Sequence, residues 1–178
     1  MGSIKNHYPV KYFYAVTFNH KLDTNPILTL LSEECGETDL QSPVYAFDVF
    51  TDYYEPEMGA GLSKFFIAFK NLQDPGLLPA CKIKSNRLEE QFCLNGKRQV
   101  NLDPGYVTEA KVVLATTKDY SHRIYLTKGI FADLHLVFDK GSFRAQPWTY
   151  PDYKQELSIH FFNQLREQLR SQLIRTKK

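Results

Sequence analysis

The chain reads as an α+β protein: a single mixed or antiparallel sheet covered by helices, in one domain spanning residues 1–178. Three observations predict this. Aromatic and β-branched runs alternate with helix-start signals in the order β-α-β-β-α-β, the split βαβ or ferredoxin-like arrangement. Short strand-like runs joined by Lys-Gly turns follow, which read as a β-meander. The chain then closes on a long segment carrying one apolar stripe.

Residues 11–18, KYFYAVTF, form the first strand. Asn25-Pro26 starts a helix that runs to about Cys35, with Leu28 and Leu31 on one face and Gly36 as the stop. The segment 44–50, VYAFDVF, gives the second strand and Leu62 to Phe69 the third. Asp74-Pro75 opens a helical region to about Leu94, with Pro79 threatening its first turn and Asn95-Gly96 ending it as a left-handed cap. Arg98 to Leu102 is the fourth strand. Asp103-Pro104 then reads as a cap followed by a first-turn proline, and Tyr106, Ala110, Val113, Leu114 and Thr117 recur at helical spacing. A strand over Val112 to Thr117 is the alternative. Ile124 to Leu126 and Ile130 to Phe138 make a hairpin, and Ser142 to Gln146 adds a strand. The last helix, about Asp152 to Ile174, places Leu157, Phe161, Leu165, Leu169 and Leu173 four residues apart.

The balance of 22 basic and 20 acidic residues gives a net charge of +2, with no global pull toward nucleic acid or membrane. The longest purely apolar run, Phe65 to Phe69, is too short to span a bilayer. The N-terminal segment has no signal-peptide pattern, and Asn6 stands where a myristoylation signal needs Ser or Thr. Cys35, Cys81 and Cys93 form no CxxC pair, which suits reduced thiols in a cytoplasmic protein. The 11 Tyr exceed what core packing alone requires, since each buried hydroxyl wants a partner.

Three clusters carry candidate chemistry. Asp52, Glu55 and Glu57 lie near Gly59 and Gly61; they could hold Mg²⁺ through oxygen ligands, or form a solvated acidic loop. In the second cluster His122 is the candidate acid or base, oriented by Asp119, with Lys118 and Arg123 to bind an anion; the alternative is that Asp119 to Ser121 merely make a turn and His122 is structural. Asp103 belongs with them, either at an anion-binding helix start or simply as its cap. The third cluster, Pro147 to Tyr153, offers Trp148 and Tyr150 as a stacking wall, or Trp148 as a core plug.

The blocks YYEPEMG at 53–59, NGKRQVNLDPGY at 95–106, ATTKDYSHRIYL at 115–126 and PWTYPDY at 147–153 resemble the bacterial family known as domain of unknown function 4416. The similarity spans nearly the whole chain. It implies a bacterial, cytosolic, single-domain protein and carries no catalytic role onto any residue. Some members are labelled GTP-binding proteins, but Gly59-Ala60-Gly61-Leu62-Ser63-Lys64 lacks the GxxxxGK[ST] spacing that wraps phosphates. GxGxxG, GxSxG and HExxH are likewise missing.

Two functions are therefore expected. One is a site, binding or catalytic, for an anionic small molecule such as a nucleotide or phosphorylated metabolite. The other is a non-catalytic module binding RNA or protein through the tyrosine-rich loops, Trp148 and a basic last helix with Arg166, Arg170, Arg175, Lys177 and Lys178.

Overall fold

Alternation along β1 (Val10–Asn19) sets the layers of the molecule. Phe13 and Ala15 point to one face of the sheet, Tyr14, Val16 and Phe18 to the other, and all are buried. A strand buried on both sides needs helices on both sides. The computed structural model, which describes residues 2–176, supplies them. After β1 come α1 (Asn25–Cys35), β2 (Thr38–Gln41), β3 (Tyr45–Ala46), α2 (Glu55–Met58), β4 (Leu62–Gln73), a 3₁₀ turn (Pro75–Leu77), α3 (Leu78–Glu90), and the β5–β6 hairpin (Cys93–Leu94, Lys97–Arg98). The second half holds β7 (Val100–Val107), β8 (Lys111–Thr116), β9 (Arg123–Thr127), β10 (Ile130–Asp139), β11 (Ser142–Ala145), α4 (Pro151–Lys154) and α5 (Glu156–Thr176).

The main sheet has the order β11-β10-β8-β7-β1-β4-β2, with β3 on β4 and β9 on β10, and every pairing is antiparallel. Its sub-order β7-β1-β4-β2, crossed by α1 and α3, is that of the split βαβ unit. Ile27 and Leu31 of α1 and Leu88 of α3 cover the Tyr14–Val16–Phe18 face. On the opposite face Phe161, Phe162 and Leu165 of α5 pack on Phe13, Ala15, Phe66 and Ala68. Phe162 lies 4.9 Å from Phe13, edge-on, and 5.1 Å from Phe66, ring centre to ring centre. Each such fully buried ring contributes roughly 1.5–3 kcal/mol of transfer free energy.

The structure corrects four expectations. The second strand is Thr38–Gln41, earlier than expected, and of the segment 44–50 only Tyr45 and Ala46 pair. The chain turns at 47–50, where the Phe50 N–H bonds to Phe47 O and Asp48 Oδ2 accepts from the N–H groups of Gly61 and Leu62. α3 ends at Glu90, and Asn95-Gly96 is the two-residue turn of the β5–β6 hairpin, with φ of 52° and 74°. Pro79 is accommodated in the first turn of α3, where the missing N–H costs nothing. The closing helix breaks at Gln155, which is extended (ψ 155°), so that α4 and α5 are separate. Lys177 and Lys178, part of the expected basic face, lie outside the described residues.

The fourth correction matters most. Asp103-Pro104 starts no helix; both residues lie inside β7, which turns at 108–110 into β8, so the strand alternative for Val112 to Thr117 holds. Pro104 sits there because of its backbone direction. The Leu102 N–H points away from β1, donating to Glu89 Oε1 at 2.7 Å. Pro104, two residues on, presents its nitrogen to the same side, so it leaves the β1 ladder intact and has no donor for β8. Pairing with β8 accordingly stops at Gly105↔Leu114. Beyond that point the two strands part. Gly105 permits the close packing at the apex, where a Cβ would come within 2.6 Å of Phe13 Cζ and 2.7 Å of Val113 O.

Gly105→Ala should therefore cost about 1–3 kcal/mol by overpacking the apex. Urea unfolding is the check, and an unchanged midpoint would show that the apex can relax.

A candidate small-molecule site in the split sheet

The wedge between β7 and β8 is a cleft of about 400 Å³, a size suited to a small ligand. β7 supplies Asn101 and Asp103, and the outgoing end of β8 supplies Leu114 to Thr116 with Lys118 just beyond. The segment between β3 and β4 adds Phe47, Tyr53, Tyr54 and Glu57. Lys64 of β4 and Asp152 of α4 also line the cleft.

A strand edge exposed by a split carries unpaired N–H and C=O groups, which must find partners. Side chains of α3 and of the β5–β6 hairpin serve β7. Glu89 accepts the Leu102 N–H, and the Lys82 ammonium donates to Leu102 O at 3.1 Å and Asp103 Oδ1 at 2.9 Å. Arg98 donates to Glu89 Oε2 at 2.5 Å and to Asn101 Oδ1 at 3.0 Å, and grips both oxygens of Glu57 at 2.8–2.9 Å. Asn101 in turn donates to Asp103 Oδ2 at 2.7 Å. Burial works against ionisation of Asp103, but the Lys82 charge and hydrogen bond, then Lys64 and Asn101, hold its carboxyl below the usual range. For Glu89 burial prevails over Lys82, the Leu102 N–H and Arg98, and its pKa rises.

The opposite wall is organised by Arg123 and Asp133, joined at 2.8 Å and both buried. Arg123 also donates to Tyr150 Oη at 2.8 Å and Lys118 O at 3.1 Å. β10 carries a register break between Leu134 and Leu136, and His135 at that break is fully buried. Segment 146–150 clamps onto it: Trp148 Nε1 donates to Leu134 O, Thr149 Oγ1 to His135 O, and the Tyr150 N–H to His135 Nε2. An accepting Nε2 leaves the proton on Nδ1, which lies 3.3 Å from Asp133 Oδ1. Burial lowers the His135 pKa against the pull of Asp133, favouring the neutral ring. Asp133 is itself pulled low: burial opposes this, but His135 and Arg123 win.

Between the walls, Lys64 is only 4% exposed. Its ammonium donates to Asp152 Oδ2 at 2.6 Å and sits 4.8–5.7 Å from the ring centres of Phe47, Phe66 and Tyr153. Tyr45 Oη donates to the same carboxylate oxygen at 3.0 Å. At the rim, Lys118 donates to Tyr53 Oη across the cleft and stands 4.1 Å from its ring centre.

The three sequence clusters thus meet. Glu57, Asp103, Lys118, Arg123 and Tyr150 line one cleft. His122 does not line it. Its ring stacks on Trp148 at 5.0 Å, and its Nε2 is buried without a hydrogen-bond partner, 3.5 Å from Asp133 Oδ2. Asp119 is exposed, and no ion pair or hydrogen bond joins it to His122 among the described residues; the carboxylate beside the imidazole is Asp133. Asp52 and Glu55 are exposed outside the cleft, and Glu57 is engaged by Arg98. Among the described residues no three acidic, His or Cys side chains converge on a metal position. Trp148 covers His122 and the β10 break, outside the cleft lining.

Lys64, Lys82, Arg98 and Asp152 are cleft residues that sequence reasoning missed. Only Lys64 left a signal: it is a cation inside the strand-like run LSKFFIAF, where a charge must find a buried partner.

A family model described as Domain of unknown function (DUF4416) matches residues 8–169. No curated protein and no solved structure matches the chain. No helix among the described residues is long and apolar enough to cross a membrane.

Asp133→Asn strands the buried Arg123 charge and should cost about 3 kcal/mol or more. Native pKa values held low for Asp103 and Asp133 give stability that is present above the unfolded value of about 3.9 and lost as pH falls through the native values. Urea midpoints measured from about pH 7 down to about pH 3 should therefore fall in the parent chain and fall less steeply in Asp133→Asn. Parallel acid limbs would show that Asp133 adds nothing to the linkage.

Proposed function

We propose that this chain, which belongs to the DUF4416 family, binds an anionic small molecule, a nucleotide or phosphorylated metabolite, in the β7–β8 cleft. The observation that carries this reading is the convergence of five cations, Lys64, Lys82, Arg98, Lys118 and Arg123, with four carboxylates, Glu57, Asp103, Asp133 and Asp152, and with tyrosines in one cleft. Guanidinium and ammonium groups meet anions by charge-assisted hydrogen bonds, and phenol faces suit a planar or sugar ring. Burial pushes the Tyr150 pKa up to about 12, and its hydroxyl, which accepts from Arg123, keeps its own proton to donate. An acid–base reaction in this cleft would use lining groups such as Lys64 and Tyr150; His122, touching Asp133 from behind, would act as a positioning residue. The free thiols of Cys35, Cys81 and Cys93 suit a reducing bacterial cytoplasm.

A partner-binding role is the second reading. Among the described residues β9 pairs only with β10, and it exposes Ile124, Tyr125 and Leu126, a bare edge of the kind protein strands add to. An RNA platform on the split βαβ sheet is disfavoured, because helices cover both faces of β1 and β4.

The test is a thermal-shift screen of nucleotides and sugar phosphates against the parent chain and Lys118→Ala. A ligand at one hundred times its Kd adds about 2.7 kcal/mol, which for a chain of this size means a rise of about 5–10 °C. That rise should appear with a phosphorylated compound and shrink in Lys118→Ala. Stabilisation by no small molecule, together with capture of a protein that a Tyr125→Lys variant no longer captures, would transfer the function to the β9 edge.

A further inference from the structure

The charges of the cleft largely cancel, and that limits what an anionic ligand can be. The argument rests on the small-molecule reading and narrows it. Four of the five lining cations already hold a carboxylate: Lys64 holds Asp152, Lys82 holds Asp103, Arg98 holds Glu57 and Glu89, and Arg123 holds Asp133. Lys118 is the lining cation with no carboxylate partner among the described residues; its ammonium meets only the Tyr53 phenol. A chain of phosphates drawn into this space would bring several negative charges against Asp103, Asp133 and Asp152, with one uncommitted cation to answer them. Like charges packed at close range in a partly desolvated cleft are costly.

The deep end has a different appetite. Of the three N–H donors of Lys64, one is spent on Asp152, and the faces of Phe47, Phe66 and Tyr153 beside the ammonium accept no conventional hydrogen bond. A buried ammonium left short of acceptors is what a ligand's hydroxyl or carbonyl oxygen satisfies. A second anionic group is unwelcome at this depth, because Asp152 and Asp103 are already there.

We propose that the cleft takes a molecule with a single phosphomonoester, held at the rim by Lys118, whose uncharged hydroxyl- or carbonyl-bearing body reaches Lys64, and that it discriminates against di- and triphosphates. The phosphate meets the uncommitted cation near solvent, where its second charge stays hydrated. The body spends the donors of the deep end.

Isothermal titration of the full chain with ribose 5-phosphate, AMP, ADP, ATP and the unphosphorylated parents ribose and adenosine tests this. A monophosphate should bind, and each added phosphate should weaken binding. Lys118→Ala should reduce monophosphate affinity by about tenfold or more, the scale of one charge-assisted hydrogen bond, while leaving the affinity for its unphosphorylated parent unchanged. ATP binding more tightly than AMP, or Lys118→Ala leaving the monophosphate untouched, overturns this proposal while the small-molecule reading stands. Binding of a glycolic-acid-type carboxylate, such as gluconate, more tightly than any monophosphate overturns the phosphate assignment alone. Failure of every probe, in a chain that unfolds cooperatively, removes both.

Discussion

One missing hydrogen-bond donor organises the cleft-bearing half of this molecule. Pro104 lies where an antiparallel ladder between β7 and β8 would next require an N–H, and it has none to give. The sheet therefore separates beyond Gly105↔Leu114 while β7 stays fully paired to β1 and β8 to β10. A split within a sheet is costly unless its raw edge is satisfied. Here Glu89 and Lys82 from α3 supply the bonds that a neighbouring strand would have made.

The use of charged side chains for that task brings further charges with it. A buried Glu89 demands Arg98, Lys82 demands Asp103, and Arg98 reaches on to Glu57. Such pairs contribute little net stability over apolar substitutes, because desolvation offsets most of their attraction. They make sense as the lining of a polar cavity, held in place by networks in which nearly every donor and acceptor is committed. The other wall follows the same logic through a different device. There the irregularity in β10 turns His135 inward to orient Asp133, and Asp133 fixes Arg123. Glu89 and His135, which do not line the cleft, thus back Arg98 and Asp133, which do.

How much of this the sequence discloses depends on the range of the interaction. β1, α1, β4 and the stripe of α5 are legible because local periodicity specifies them, with Pro26 and Gly36 bounding α1. β2 is not, since Thr-Asp-Leu-Gln has no strand signature and becomes a strand only by pairing with β4. Asp103-Pro104-Gly105 carries the same signal as a helix start, and only the side on which the proline nitrogen falls decides between the two outcomes. Asp103, Lys118, Arg123 and Tyr150 were found because they stand in polar segments rich in turn residues. Lys82 and Asp152 escaped because their partners are 21 and 88 positions away. His122 and Asp119 looked like a pair by adjacency, yet the β9 turn directs the imidazole to Asp133 on the neighbouring strand.

A wedge with a pinned apex is also a lever. The Phe13 ring against Gly105 fixes the point from which β7 and β8 diverge. Lys118 lies four residues past Leu114, roughly 13 Å along the extended chain. A rotation of about 5° at the apex would displace the Lys118 backbone by about 1 Å, without breaking a rung of either flanking ladder. Small adjustments of twist between the two halves of the sheet are thereby magnified at the mouth, where Tyr53 and Lys118 meet, and hardly felt beside the apex.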